Sequence, residues 1–259
     1  MIIQYSETVN KGESTLTALP KLILAVTPEQ AKLVNNPDTT LAHIAYRLEN
    51  GPTLTRLRQA QPGPGGLLYL GEDQISGNNY TYLFQQLLRE CSARHFQGVI
   101  ADLPPGLDGM IQQLDTLLPQ NALTLYLPEH YHNTGKKARL LVSTALTGGS
   151  LRRHLQERSE RYGAGRIVGV LQRVCAQVIP QGKSNQTTPI SQEELLRLRQ
   201  QHKPQIQWSA ELCLRYFTCN EQGKLRFVLF DDKETLQAKR RLCGELGIRM
   251  CLGAWAELS

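Results

Sequence analysis

Glu72, Asp102 and Glu129 are acidic side chains at or near the ends of short apolar runs. A carboxylate placed there suits proton transfer, because in α/β proteins the loops that follow the strands present the reacting groups. Glu72 and Glu129 would together supply an acid and a base, and Asp102 would polarise a ligand hydroxyl. Arg47, Glu49, Asp73, His130, Gln177 and Trp255 occupy comparable strand-end positions. Of these, Arg47 and Trp255 join Asp102 and Glu129 as ligand-binding candidates.

Other chemistries find less support. His130 and His132 flank Tyr131, but a metal needs a third ligand that the chain does not suggest, so both read as loop histidines. Ser76, Ser143 and Thr144 carry hydroxyls, yet no Gly-x-Ser-x-Gly elbow surrounds them. Gly63, Gly65 and Gly66 are interrupted by Pro64, which lacks the amide a phosphate cradle would use. The expectation is a protein without cofactor or metal.

The elements that must position these residues follow a parallel β/α rhythm. Apolar runs fall at 22–27, 43–48, 67–70, 99–103, 123–127, 139–145, somewhere within 167–179, and at 248–252. Between them lie helical patterns. The stretch 80–95 places Leu83, Leu87, Leu88 and Cys91 on one face. Ser150 is suited to cap a helix over 151–162, and Ser191 with Glu194 has the spacing of a capping box. Residues 61–66 read as a turn, 181–189 as an exposed polar loop, and 208–230 as a β-hairpin around 220–223. Eight strands suggest closure. The expected fold is a TIM (β/α)8 barrel in one domain spanning 1–259, with a hairpin inserted before the last βα unit.

The bulk properties agree with a single globular unit. The chain has 259 residues, 41% of them hydrophobic and 20% charged, and a net charge of +6. Its basic runs, 136–139, 152–161 and 239–241, lack interleaved aromatics, so they read as solvated helix faces and no nucleic-acid partner is expected. Six cysteines form no C-x-x-C pair, which fits a reduced interior. No leader-like start and no long apolar stretch is visible, so the expected setting is cytoplasmic, without a membrane span and with spore or cell-wall association left open.

One segment carries a family likeness. The strand pattern at 227–230 ends in Phe230, Asp231 and Asp232; a helical stretch at 234–246 follows, and then a last strand leads to Trp255. With Trp208, Tyr216, Phe217 and Lys239, this order resembles the closing part of family 18 glycoside hydrolases, the chitinase-like barrels, and in particular their spore-cortex and cell-wall members. The resemblance implies that Trp255 floors a sugar site. It also implies a motif Asp-x-x-Asp-x-Asp-x-Glu on the fourth strand, whose final Glu is the acid catalyst. The four positions read Gln97, Ile100, Asp102 and Pro104 here, so only Asp102 matches. Proline has no proton to give, and general acid catalysis is worth about 10²–10⁴-fold. The family's later tyrosine and acid also lack a counterpart near 175–180. The expected function is therefore non-hydrolytic binding of an amino-sugar glycan or cell-wall fragment. The alternatives are a glycoside hydrolase using Glu72 and Glu129, and a scaffold that keeps only the barrel.

Overall fold

The computed structural model describes residues 18–49, 52–57, 61–71, 79–181, 184–221 and 223–258. The chain opens with β1 (Lys21–Val26), the single turn α1 (Pro28–Ala31), and the pair β2 (Thr40–Glu49) and β3 (Thr53–Arg56). Regular βα units follow: β4 (Leu67–Leu70), α2 (Thr81–Arg94), β5 (Gly98–Ala101), α3 (Asp108–Gln120), β6 (Thr124–Pro128), β7 (Arg139–Ser143), α4 (Leu151–Tyr162) and β8 (Ile167–Leu171). An inserted segment holds β9 (Cys175–Gln181), β10 (Ser184–Pro189), α5 (Gln192–His202), β11 (Gln207–Ser209), β12 (Leu214–Glu221) and β13 (Lys224–Phe230). Helix α6 (Lys233–Glu245), β14 (Met250–Ala254) and α7 (Trp255–Leu258) close the fold.

Eight parallel strands form a barrel in the order β1, β14, β8, β7, β6, β5, β4, β2, and β1 pairs with β2 to close it. All eight apolar runs of the sequence fall on these strands. Alternation along each strand divides the side chains: Ile23, Ala25, Leu67, Ile100, Tyr126, Leu141, Val168 and Leu252 fill the interior. The opposite set packs under the helices. Thus Cys251 points outward and joins Leu242 and Cys243 of α6 with Leu151 and Leu155 of α4. Gly98 lets β5 approach β6 closely, since a Cβ there would lie 2.3 Å from the carbonyl oxygen of Thr124.

The hairpin expected at 208–230 is present as β12 and β13, but it is the centre of something larger. The inserted sheet has five antiparallel strands, ordered β10, β9, β13, β12, β11. Residues 184–189, expected in a loop, form its edge strand β10, paired with β9. An edge strand needs only a backbone partner on one side, so its exposed polar side chains conceal it from a reading based on hydrophobicity. Leu195 and Leu198 of α5 cover one sheet face with Phe217, Val228 and Phe230. The other face sets Leu214 and Leu229 against Leu146 of the β7–α4 loop.

Two local expectations need correction. Ser191 Oγ accepts from the Glu194 amide at 3.1 Å, but the Glu194 carboxylate turns to Arg197 at 2.7 Å, so the reciprocal half of the capping box is not made. The basic run 239–241 is not a uniformly solvated face. Lys239 is fully buried and donates to Asp231 Oδ2 at 2.6 Å.

Burial also leaves a pH signature. His43 is 2% exposed, its ring lies 5.5 Å from that of Phe96, and its Nδ1 has no partner. Desolvation holds its pKa below the ordinary imidazole value, and the half-buried His154 is shifted the same way for the same reason. In the unfolded chain both rings take up a proton near about pH 6.5, while the folded protein resists until lower pH. Stability should therefore be flat above that pH and fall as the pH drops through the window below it. Urea midpoints at about pH 7.5 and about pH 5.5 test this, with a smaller drop expected in His43→Asn. Equal drops in both proteins would refute the assignment to His43.

Candidate ligand site at the barrel mouth

A cleft of about 300 Å³ opens at the C-terminal ends of the barrel strands. Its floor is the top of the interior layer, including Leu141 and Leu252. Five polar side chains rim it: Tyr69, Asp102, Ser143, Gln172 and Glu257. Tyr69 shares the inward face of β4 with Leu67, and Asp102 is the first residue after β5, its amide bonded to the Leu70 carbonyl at 2.9 Å. The two strands are neighbours, so the Tyr69 hydroxyl reaches Asp102 Oδ2 at 2.6 Å. Burial first, then this bond, raises the Tyr69 pKa well above that of an ordinary phenol, and it stays a neutral donor.

Glu257 comes from α7. Its Oε2 accepts from the Arg173 amide at 2.9 Å, which ties the end of the chain to the loop after β8. Strands β5 and β14 are four places apart in a ring of eight, so Asp102 and Glu257 enter the mouth from opposite sides. Among the described residues, no hydrogen bond within the protein occupies Asp102 Oδ1 or Glu257 Oε1. The site thus offers an apolar floor, two opposed carboxylates and three neutral polar groups.

Of the residues singled out from sequence, only Asp102 among the ligand candidates reaches this cleft. Glu129 turns outward to α4, where its Oε1 accepts from Arg158 Nε at 3.1 Å and from the Tyr162 hydroxyl at 3.3 Å. Arg47 pairs with Glu49 at 2.8 Å on the exposed end of β2. Glu72, Asp73 and Ser76 lie outside the described residues. Gln177 belongs to β9 of the inserted sheet and bonds Arg226 at 2.9 Å, because β8 ends earlier than the apolar run suggested. His130 packs on Tyr131, and His132 Nε2 lies 3.1 Å from an Arg161 nitrogen. No group of three potential metal ligands occurs among the described residues.

Trp255 lies elsewhere, in a separate cleft of about 640 Å³ with Leu22, Leu24 and Leu33. The reason is parity: Leu252 faces the barrel interior and Ala254 lines the mouth, so the next residue points outside. There the one-turn α1 leaves part of the outer wall of β1 uncovered. The same alternation, read on 67–70, would have marked Tyr69 as inward. Nothing local marks Glu257, which reaches the mouth only because α7 folds back over the strand ends.

Pro104 sits in the loop after β5, and its carbonyl accepts from the Tyr131 hydroxyl. No helix among the described residues is long and apolar enough to cross a membrane.

No family model matches the sequence, and no curated protein matches it in a sequence comparison. Solved structures are. The spore cortex-lytic enzyme SleL of Bacillus cereus superposes with a TM-score of 0.60 at 15% identity, covering 91% of this chain and 70% of SleL. The C-terminal domain of a putative chitinase from Desulfitobacterium hafniense gives 0.64 at 13% identity, covering 92% and 94%. A glycoside hydrolase family 18 N-acetylglucosaminidase from Paenibacillus barengoltzii gives 0.59 at 11% identity, covering 91% and 94%. This chain therefore has a (β/α)8 barrel fold similar to that of these chitinase-like structures.

Proposed function

We propose that this barrel holds an amino-sugar glycan in its mouth without cleaving it. The observation that carries the reading is the cleft at the strand ends in which Tyr69 fixes Asp102; the family resemblance, which would put Pro104 where the acid catalyst belongs, supports the absence of cleavage. Asp102 accepts, Tyr69 and Gln172 offer further polar contacts, and the apolar floor suits the flat face of a pyranose. The structural similarity to a putative chitinase and to a cortex-lytic enzyme supports this ligand class. Trp255 is not needed in this reading.

A second reading keeps hydrolysis. It differs from the one the sequence suggested, because Glu129 is engaged with Arg158, whereas Glu257 shares the mouth with Asp102. Two opposed carboxylates are the general equipment of glycoside cleavage.

One experiment separates the two. Glucosamine and N-acetylglucosamine oligomers carrying a chromogenic aglycone are titrated calorimetrically while the released chromophore is followed. Heat without release is expected from at least one oligomer. Asp102→Ala should weaken that binding by about tenfold or more, as loss of a hydrogen bond to a charged group does. Flat titrations with every oligomer would remove the binding reading. Release that stops in Glu257→Gln would establish the second.

A further inference from the structure

The mouth differs in sign from the molecule around it. The protein carries a net charge of +6, yet among the described residues the cleft is lined by two carboxylates and by no lysine, arginine or histidine. The two acids line one cleft from opposite sides, since Asp102 follows β5 and Glu257 follows β14 across the ring. Each has one oxygen committed to the protein, Asp102 Oδ2 to Tyr69 and Glu257 Oε2 to the Arg173 amide. The other oxygen of each accepts no hydrogen bond from the described residues.

We propose that the cleft selects a sugar with a free ammonium group, a glucosamine-type unit, over its N-acetylated or carboxylated counterparts. The inference rests on the glycan-binding reading above and narrows it. An ammonium has three donors and no acceptor, so it complements carboxylate oxygens that lack donors. In a partly enclosed cleft the attraction is screened less than in bulk water, and among the described residues no cation lines the cleft to compete for it. An N-acetyl group replaces that charge with one neutral donor and a carbonyl. A lactyl ether of the muramic type adds a carboxylate, which would meet two like charges without compensation.

The test uses the whole chain and three probes in calorimetric titrations at low and high salt. They are a glucosamine trimer, an N-acetylglucosamine trimer, and the disaccharide of N-acetylglucosamine and N-acetylmuramic acid. The free-amine trimer is expected to bind at least about tenfold more tightly than either of the others. Its advantage should shrink as salt rises, a result that needs no variant. In the Asp102→Asn/Glu257→Gln double variant, which removes the charges and keeps the shapes, the two trimers should bind alike. If the N-acetylated trimer or the muramic disaccharide binds the unaltered protein as tightly as the free amine, the inference falls and glycan binding stands. If none of the three gives heat, the glycan reading falls and takes the inference with it.

Discussion

Replacing Lys239 by methionine should remove about 3–5 kcal/mol of stability, the usual cost of leaving one partner of a buried ion pair alone. The Lys239 ammonium lies 2.6 Å from Asp231 Oδ2, and both side chains are fully buried. The same oxygen accepts from the Val174 amide at 2.7 Å, while Asp231 Oδ1 has no partner. Methionine fills nearly the same volume, so little packing is lost and the main cost is an uncompensated carboxylate. Adding Asp231→Asn should recover most of the loss, because its amide oxygen still accepts the Val174 N–H and no charge remains. Urea midpoints of the three proteins measure this. A single-variant loss below about 1 kcal/mol would mean that the pair contributes little. The position matters to the site as well. Val174 stands between β8 and the inserted sheet, close after Gln172 of the mouth, and Lys239 anchors that junction to α6.

Truncating Phe217 to alanine is expected to cost a similar amount, about 3–5 kcal/mol, through a different term. Phe217 is completely buried between the inserted sheet and α5, against Leu195, Leu198, Val228 and Phe230. A small sheet with one covering helix has few contacts to redistribute, so the cavity cannot close cheaply. The damage should also be local. Hydrogen exchange ought to accelerate in β12, β13 and α5 well before it does in β4, β5 and β6, whose core is built from other residues. Uniform acceleration across the chain would instead show that insertion and barrel unfold as one unit.

The barrel was legible because its signal is local. Each parallel strand is buried on both sides, so it appears as a short apolar run, and caps such as Ser150 punctuate the helices between. The inserted sheet was only half legible. Its central hairpin has apolar residues on both faces, whereas β10 has a polar, exposed edge that composition cannot tell from a loop. Lys239 was misread for a related reason. A basic residue in a helical run looks solvated until the acid that neutralises it is placed, and that placement depends on the segment before β9.

For the site, the sequence by itself determined that a β/α barrel would put polar residues at one end and that Asp102 would be among them. Only the tertiary structure decided the rest. Strand pairing brings Tyr69 to Asp102 across 33 residues, α7 carries Glu257 to the far side of the mouth, Arg158 and Tyr162 draw Glu129 away, and the parity of β14 sends Trp255 outside. Periodicity within a strand is set by the backbone, so it survives in the sequence. Which side chain meets which across the barrel depends on register and loop path, and these are settled when the ring of strands closes.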